Sequence, residues 1–217
     1  MMALVVAKAP VPGRVKTRLG VDVGLERAAR LAAAALRDTV ETCTATYGAQ
    51  DCHLALDGDL SRGVDADHLV AATRGWTVHP QPDGGFDVRL AAAHADVAAA
   101  APGPVLQVGM DTPHLTPGLL REVEAGLDDH DAVLGPAPDG GWWVLALRDP
   151  RAASALVGVE MSTPTTHDDT RAALVAHGLS VATAPELRDV DTVADADAVA
   201  HEAPDTWFAR TWREAGA

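Results

Sequence analysis

ALVVAKAPVPGRVKTRLG, residues 3–20, decides the fold: an apolar strand over 3–7 ends and opens into a loop rich in proline, glycine and positive charge. Lys8, Arg14, Lys16 and Arg18 all lie in this segment, and no acidic residue separates them. A strand that delivers cations on a loop at its carboxyl end is the arrangement of an open α/β sheet, where ligands gather at that edge. Pro10 and Pro12 lower the entropy of ordering the loop, and Gly13 permits close approach to a phosphate. Arginine offers a fork of donors and lysine a compact charge, both suited to a diphosphate. A Walker A loop is excluded, because Gly13 is followed by Arg-Val-Lys-Thr with no glycine beside Lys16. No GxGxxG dinucleotide fingerprint follows the strand either.

Working outward, short apolar runs alternate with longer alanine-rich stretches, the pattern of a mostly parallel sheet covered by helices. Strands are predicted at 52–56, 76–80, 105–110, 131–136, 142–147 and 179–183, and a long helix over 24–47. Further helices are predicted around 69–73, over 86–100, from Pro117 towards Asp128, over 168–177 and 194–201, with the Trp207 and Trp212 tail docking as a last one. Residues 150–164 carry no clear pattern. With no linker, repeat or low-complexity block, residues 1–217 are read as one domain with a three-layer α/β/α architecture.

The formal net charge of -14, from 17 basic and 31 acidic residues, excludes a basic nucleic-acid-binding surface. Local positive charge inside an acidic chain fits a small phosphate-bearing ligand instead. The first apolar run is too short for a membrane span or a signal peptide. Cys43 and Cys52 form no staple pattern and suit a reducing compartment, so a cytoplasmic location is expected.

Asp111 follows the clearest central strand, VLQVGM at 105–110, so its carboxylate is presented from a rigid element. Asp189 and Asp191 in RDVDT share one face if that stretch is extended. Asp139-Gly140-Gly141-Trp142 combines a hydrogen-bonding carboxylate, two glycines permitting close approach and an aromatic face that can stack on a sugar. His114 and His167 could approach a metal, but the nine histidines show no HxH or HExxH spacing, so zinc is not expected.

Four blocks together resemble the bacterial DUF2064 family of small glycosyltransferase-like proteins, some of them associated with radical-SAM and arsenosugar gene neighbourhoods. They are AKAPVPGRVKTRL at 7–19, GMDTPHLT at 109–116, GPAPDGGWWVLAL at 135–147 and DVDTVADAD at 189–197, with a fainter block, QPDGGFDVRLAAAH, at 81–94. The first block is distinctive; the aspartate blocks are shared with guanylyltransferase-like nucleotidyltransferases. The resemblance implies the GT-A nucleotide-diphospho-sugar transferase fold. It also implies Mg²⁺ or Mn²⁺ held by Asp111 and Asp191, with Lys8, Gly13, Arg14, Lys16 and Arg18 on the phosphates. Asp139 would then orient or deprotonate the acceptor, with Gly140, Gly141 and Trp142 around acceptor or sugar. Trp142 stands where the family commonly has tyrosine, and Met161 where it usually has tryptophan.

The leading expectation is therefore glycosyl transfer from a nucleoside-diphosphate sugar to a small-molecule acceptor. The alternatives are nucleotidyl transfer from a triphosphate to a phosphorylated acceptor, and a non-catalytic nucleotide-sugar-binding protein. The first two need nearly the same site and differ in what leaves, a nucleoside diphosphate or pyrophosphate.

Overall fold

In the computed structural model, which describes residues 1–214, a seven-stranded sheet runs through the molecule in the order β3-β2-β1-β4-β6-β5-β7. Its strands are β1 (Met2–Lys8), β2 (Cys52–Asp57), β3 (Thr77–Pro80), β4 (Val105–Gly109), β5 (Ala132–Pro136), β6 (Trp142–Leu147) and β7 (Val181–Thr183). All pairings are parallel except the two made by β6, which runs antiparallel to both β4 and β5. The expected mostly parallel sheet is what forms, and its strand positions follow the sequence reading closely.

Both faces are covered, which is why the strands read as continuous apolar runs and not as alternations. On β1, Ala3, Val5 and Ala7 pack with Leu36 and Val40 of α2 (Leu25–Tyr47), while Met2, Leu4 and Val6 pack with Leu90 and Val97 of α4 (Phe86–Ala100). The first layer also holds α3 (Ala66–Ala72) and α5 (Pro117–Ala125); the second holds α6 (Thr166–Ala176) and a 3-10 stretch at Pro150–Leu156, inside the segment with no clear sequence pattern. The helix expected from residue 24 is preceded by a separate short one, α1 (Thr17–Val23). Gly24, at φ 85°, makes the break between them, a left-handed conformation that sequence periodicity does not reveal.

The outer face of α2 buries Leu31 against α7 (Val193–Glu202) and α8 (Trp207–Glu214), with Val190, Val199 and Phe208 completing that cluster. Asp38 on α2 fixes α8 there. Its carboxylate accepts from the backbone N–H groups of Trp207 and Phe208, both at 2.9 Å. Asp38→Ala should cost about 1–3 kcal/mol, because it leaves two donors at the start of α8 without their acceptor. Urea unfolding of the variant measures it, and an unchanged midpoint would show that Asp38 does not tether the helix. Among the described residues, no helix is long and apolar enough to cross a membrane.

Candidate functional site

The carboxyl ends of β1 and β4 lie side by side, with Val6 opposite Gly109, so the basic loop and Asp111 emerge at one edge. The segment 189–191 joins them through a backbone bond from Val190 N–H to the Asp111 carbonyl, 3.1 Å. Val190 is fully buried, and Asp189 and Asp191 on either side of it open into the cleft. The alternation expected of this stretch is therefore present. Thr192 caps α7 in a reciprocal capping box with Asp195, which leaves the Asp191 carboxylate free for the cleft.

Asp111, Asp189 and Asp191 each present an oxygen within 4.8 Å of the other two. Burial and the neighbouring charges of Asp111, Asp191 and Asp139 raise the Asp189 carboxyl to about 6, while Lys16 opposes the shift. Such a group of carboxylates calls for a cation. Lys16 supplies one: its Nζ donates to Asp111 Oδ2 and Asp191 Oδ1, each at 2.8 Å, from a side chain only 10% exposed. Burial alone would lower the Lys16 pKa, but the two aspartates outweigh it and hold the ammonium firmly protonated. Its backbone is left-handed, φ 44°, an uncommon conformation for a residue with a side chain, which aims the stem inward at the start of α1. A set of hard carboxylate oxygens already bridged by a cation could hold a divalent metal ion.

The cleft at this edge has a volume of about 470 Å³ and is lined by Lys8, Arg14, Lys16, Arg18, Asp111, Asp139, Gly141, Trp142 and Asp191, all of them singled out from sequence. Arg18 reaches Asp191 at 3.3 Å, and Arg14 lies 3.9 Å from Asp57; both guanidinium side chains are largely exposed. Gly13 and Gly140 do not line it. Gly13, at φ 78°, serves the turn, and a Cβ on Gly140 would lie 2.1 Å from the Pro164 carbonyl oxygen. Gly140 thus lets residues 137–141 pack on the segment before α6, where its carbonyl also accepts from His167 N–H at 2.9 Å. Of the paired tryptophans, Trp143 is buried, whereas Trp142 is half-buried with its indole N–H on Thr170.

Sequence reasoning ranked Asp189 behind Asp191, and it gave no role to Thr112, Gln81 or Phe86, which also line the cleft. Gln81 has a readable geometry. Its Nε2 donates to the carbonyls of Ala7 and Ala55, at 3.0 and 2.9 Å, so its Oε1 remains as an acceptor. Phe86 is 47% exposed at the start of α4. An apolar ring left open on a cleft wall is the signal that could have marked it. His114 is buried beneath this edge with no hydrogen-bond partner on either ring nitrogen among the described residues, and it does not line the cleft.

A family model described as "Uncharacterized protein conserved in bacteria (DUF2064)" matches residues 39–163, a span that contains Asp111 and 139–142. A protein of Desulfovibrio desulfuricans G20, named as a candidate nucleotide-diphospho-sugar transferase, has a similar structure, with a TM-score of 0.84 at 23% identity over 99% of this chain and 95% of its own. The 4-diphosphocytidyl-2C-methyl-D-erythritol synthase of Anaerococcus prevotii DSM 20548 gives a TM-score of 0.61 at 12% identity, over 94% of this chain and 96% of its own. A cytidylyltransferase of Leptospira borgpetersenii serovar Hardjo-bovis (strain JB197) gives 0.53 at 12% identity, over 89% of this chain and 82% of its own. No curated protein matches the sequence. At these identities the likenesses establish the fold, the mixed α/β architecture that these proteins share.

Proposed function

The chain belongs to the bacterial DUF2064 family, and we propose that it is a metal-dependent nucleotidyltransferase, joining a nucleoside monophosphate from a triphosphate to a phosphorylated acceptor. The observation that carries this is the convergence of a basic loop and three aspartates on one cleft. Arg14, Lys16 and Arg18 would hold phosphates, and Phe86 with the Gln81 acceptor would face the base. A divalent ion on Asp111, Asp189 and Asp191 would neutralise charge developing on the phosphate oxygens. The acceptor's phosphate oxygen bonds to the α-phosphorus as the bond to the bridging oxygen breaks, and pyrophosphate leaves with that electron pair. The cation-lined loop brings the two anions together and keeps them in line.

This reaction needs no base, because the attacking oxygen is already an anion. Asp139 fits that economy: it is exposed, and its Oδ1 accepts from Gly141 N–H at 2.8 Å, which shapes its own turn. The likeness of fold to two cytidyl-transferring enzymes supports the same choice. The second reading, glycosyl transfer, draws on the closer likeness to the Desulfovibrio protein and on Trp142 at the cleft. There a hydroxyl acceptor must lose a proton, and Asp139 would take it.

The products separate the two. Incubation of the protein with each nucleoside triphosphate, Mn²⁺ and a panel of sugar and alcohol phosphates should release pyrophosphate. Nucleoside diphosphate released from nucleotide sugars instead would establish the second reading, and binding without any turnover would overturn both. Asp139→Asn should change the rate by less than about fivefold under nucleotidyl transfer, against about a hundredfold or more if the residue is a base.

A further inference from the structure

We infer that Lys16 is an internal counter-ion that must be exchanged before the cleft can be loaded, so that metal ion and nucleotide bind as an interdependent pair. This rests on the nucleotide-and-metal reading of the cleft. The Lys16 ammonium holds Asp111 Oδ2 and Asp191 Oδ1. Those oxygens belong to two of the three carboxylates a divalent ion would take, and an ammonium seated between them repels a dication at contact distance. Lys16 therefore has to leave the aspartates. Its side chain is only 10% exposed and lines the cleft, so an ammonium displaced from the aspartates stays inside that cleft. The anion within reach of a flexible four-carbon stem is a phosphate in the same cleft, which Lys16 also lines.

Each ligand alone then meets a penalty. A metal ion by itself competes with Lys16 and strands a buried cation. A nucleotide by itself finds its lysine already engaged. Together they exchange partners, and neither the ammonium nor the carboxylates are left without a counter-charge. By linkage the favourable coupling acts equally on both ligands. An independent sign of a polar ligand at this edge is the Thr112 hydroxyl. Thr112 lies next to Asp111 and lines the cleft, is 1% exposed, and has no hydrogen-bond partner for its hydroxyl among the described residues.

The test uses Mn²⁺ alone and Mn²⁺ with inorganic tripolyphosphate, titrated by electron paramagnetic resonance against wild type and Lys16→Met. Removing the competitor should tighten Mn²⁺ alone by at least about tenfold and weaken manganese tripolyphosphate by at least about tenfold, effects of opposite sign. Equal affinity of both proteins for Mn²⁺ alone would sink the exchange while leaving the metal site in place. Failure of both to bind Mn²⁺ in either form would remove the metal reading itself, and the exchange with it. Lys8 and Lys16 are the chain's two lysines, so ¹⁵N-lysine labelling of wild type gives a second measurement that needs no variant. The Lys16 ammonium signal should move when Mg²⁺ and tripolyphosphate are added together and stay nearly in place with the same Mg²⁺ alone. A full shift with Mg²⁺ alone would overturn the inference.

Discussion

Asp111→Asn is expected to remove metal-dependent nucleotide binding and to lower turnover by at least about a hundredfold, some 2.7 kcal/mol of transition-state stabilisation. The substitution keeps size and shape. Its amide oxygen can still accept from Lys16 Nζ, and the backbone bond from Val190 N–H to the residue-111 carbonyl is untouched, so the 189–191 segment stays docked. What disappears is one carboxylate of the three clustered there. Asp191 still pairs with Lys16 and the repulsion between Asp111 and Asp189 is relieved, so thermal unfolding of the metal-free protein should shift little. Calorimetric titration of nucleotide with and without Mn²⁺, beside an activity assay, reads the effect. Affinity and turnover equal to wild type would reduce Asp111 to a turn residue after β4.

A comparably large effect is expected on stability in acid, from His94. This α4 side chain is fully buried on the sheet, with Nε2 on Gln107 Oε1 at 2.9 Å and no partner for Nδ1 among the described residues. Burial lowers its pKa to about 4, with the Gln107 bond opposing the shift. The unfolded chain takes up that proton near pH 6.5, where the folded one resists it until about 4. The contribution is therefore fully present above 6.5 and is lost as pH falls through that window, by about 3 kcal/mol in total. Asp38 and Asp189 work the other way. Burial raises both carboxyls to about 6, so their contributions favour the fold increasingly as pH falls below that value. The raw curve mixes these terms, and a difference isolates one of them. Against His94→Gln, which can keep a bond to Gln107, wild type should lose up to about 3 kcal/mol more between pH 7 and pH 4 in urea titrations. Parallel curves for the two proteins would mean that His94 is protonated as readily folded as unfolded.

Much of this was legible from sequence because its physical causes are local. β1, β6 and α4 are bounded by residues that enforce the boundary: the charged end at Lys8, the glycines before Trp142, the Pro-Gly-Pro after Ala100. The position of Asp111 at a strand end and the alternation of Asp189 with Asp191 were readable for the same reason. Pairings across the chain were not. Nothing local to Lys16 indicates that its ammonium would be claimed by residues 95 and 175 positions away, so it read as a simple phosphate ligand. Gly140 read as a glycine permitting close approach of a ligand, and its close approach to the Pro164 backbone, over 20 residues further on, was not readable. Gln81 escaped because its orientation depends on carbonyls from two other strands.

The reversed strand β6 has a consequence for how such a protein can change its second substrate. On the parallel strands, only the departing chain reaches the cleft edge, and each return trip needs a crossover through a helix. With β6 reversed, residues 137–141 leave and re-enter the sheet at that same edge as a closed hairpin between β5 and β6. Lengthening a flexible hairpin tip adds only about 0.6 kcal/mol of closure entropy for each doubling. It disturbs neither the basic loop nor the aspartates, which stand on β1, β4 and the 189–191 segment. The partner of this tip, residues 160–167 around Pro164, would have to be exchanged with it, because Gly140 packs on Pro164 and accepts from His167 N–H. On the proposed reading, transplanting these two loops as a matched pair would change the acceptor while leaving the basic loop and the aspartates in place.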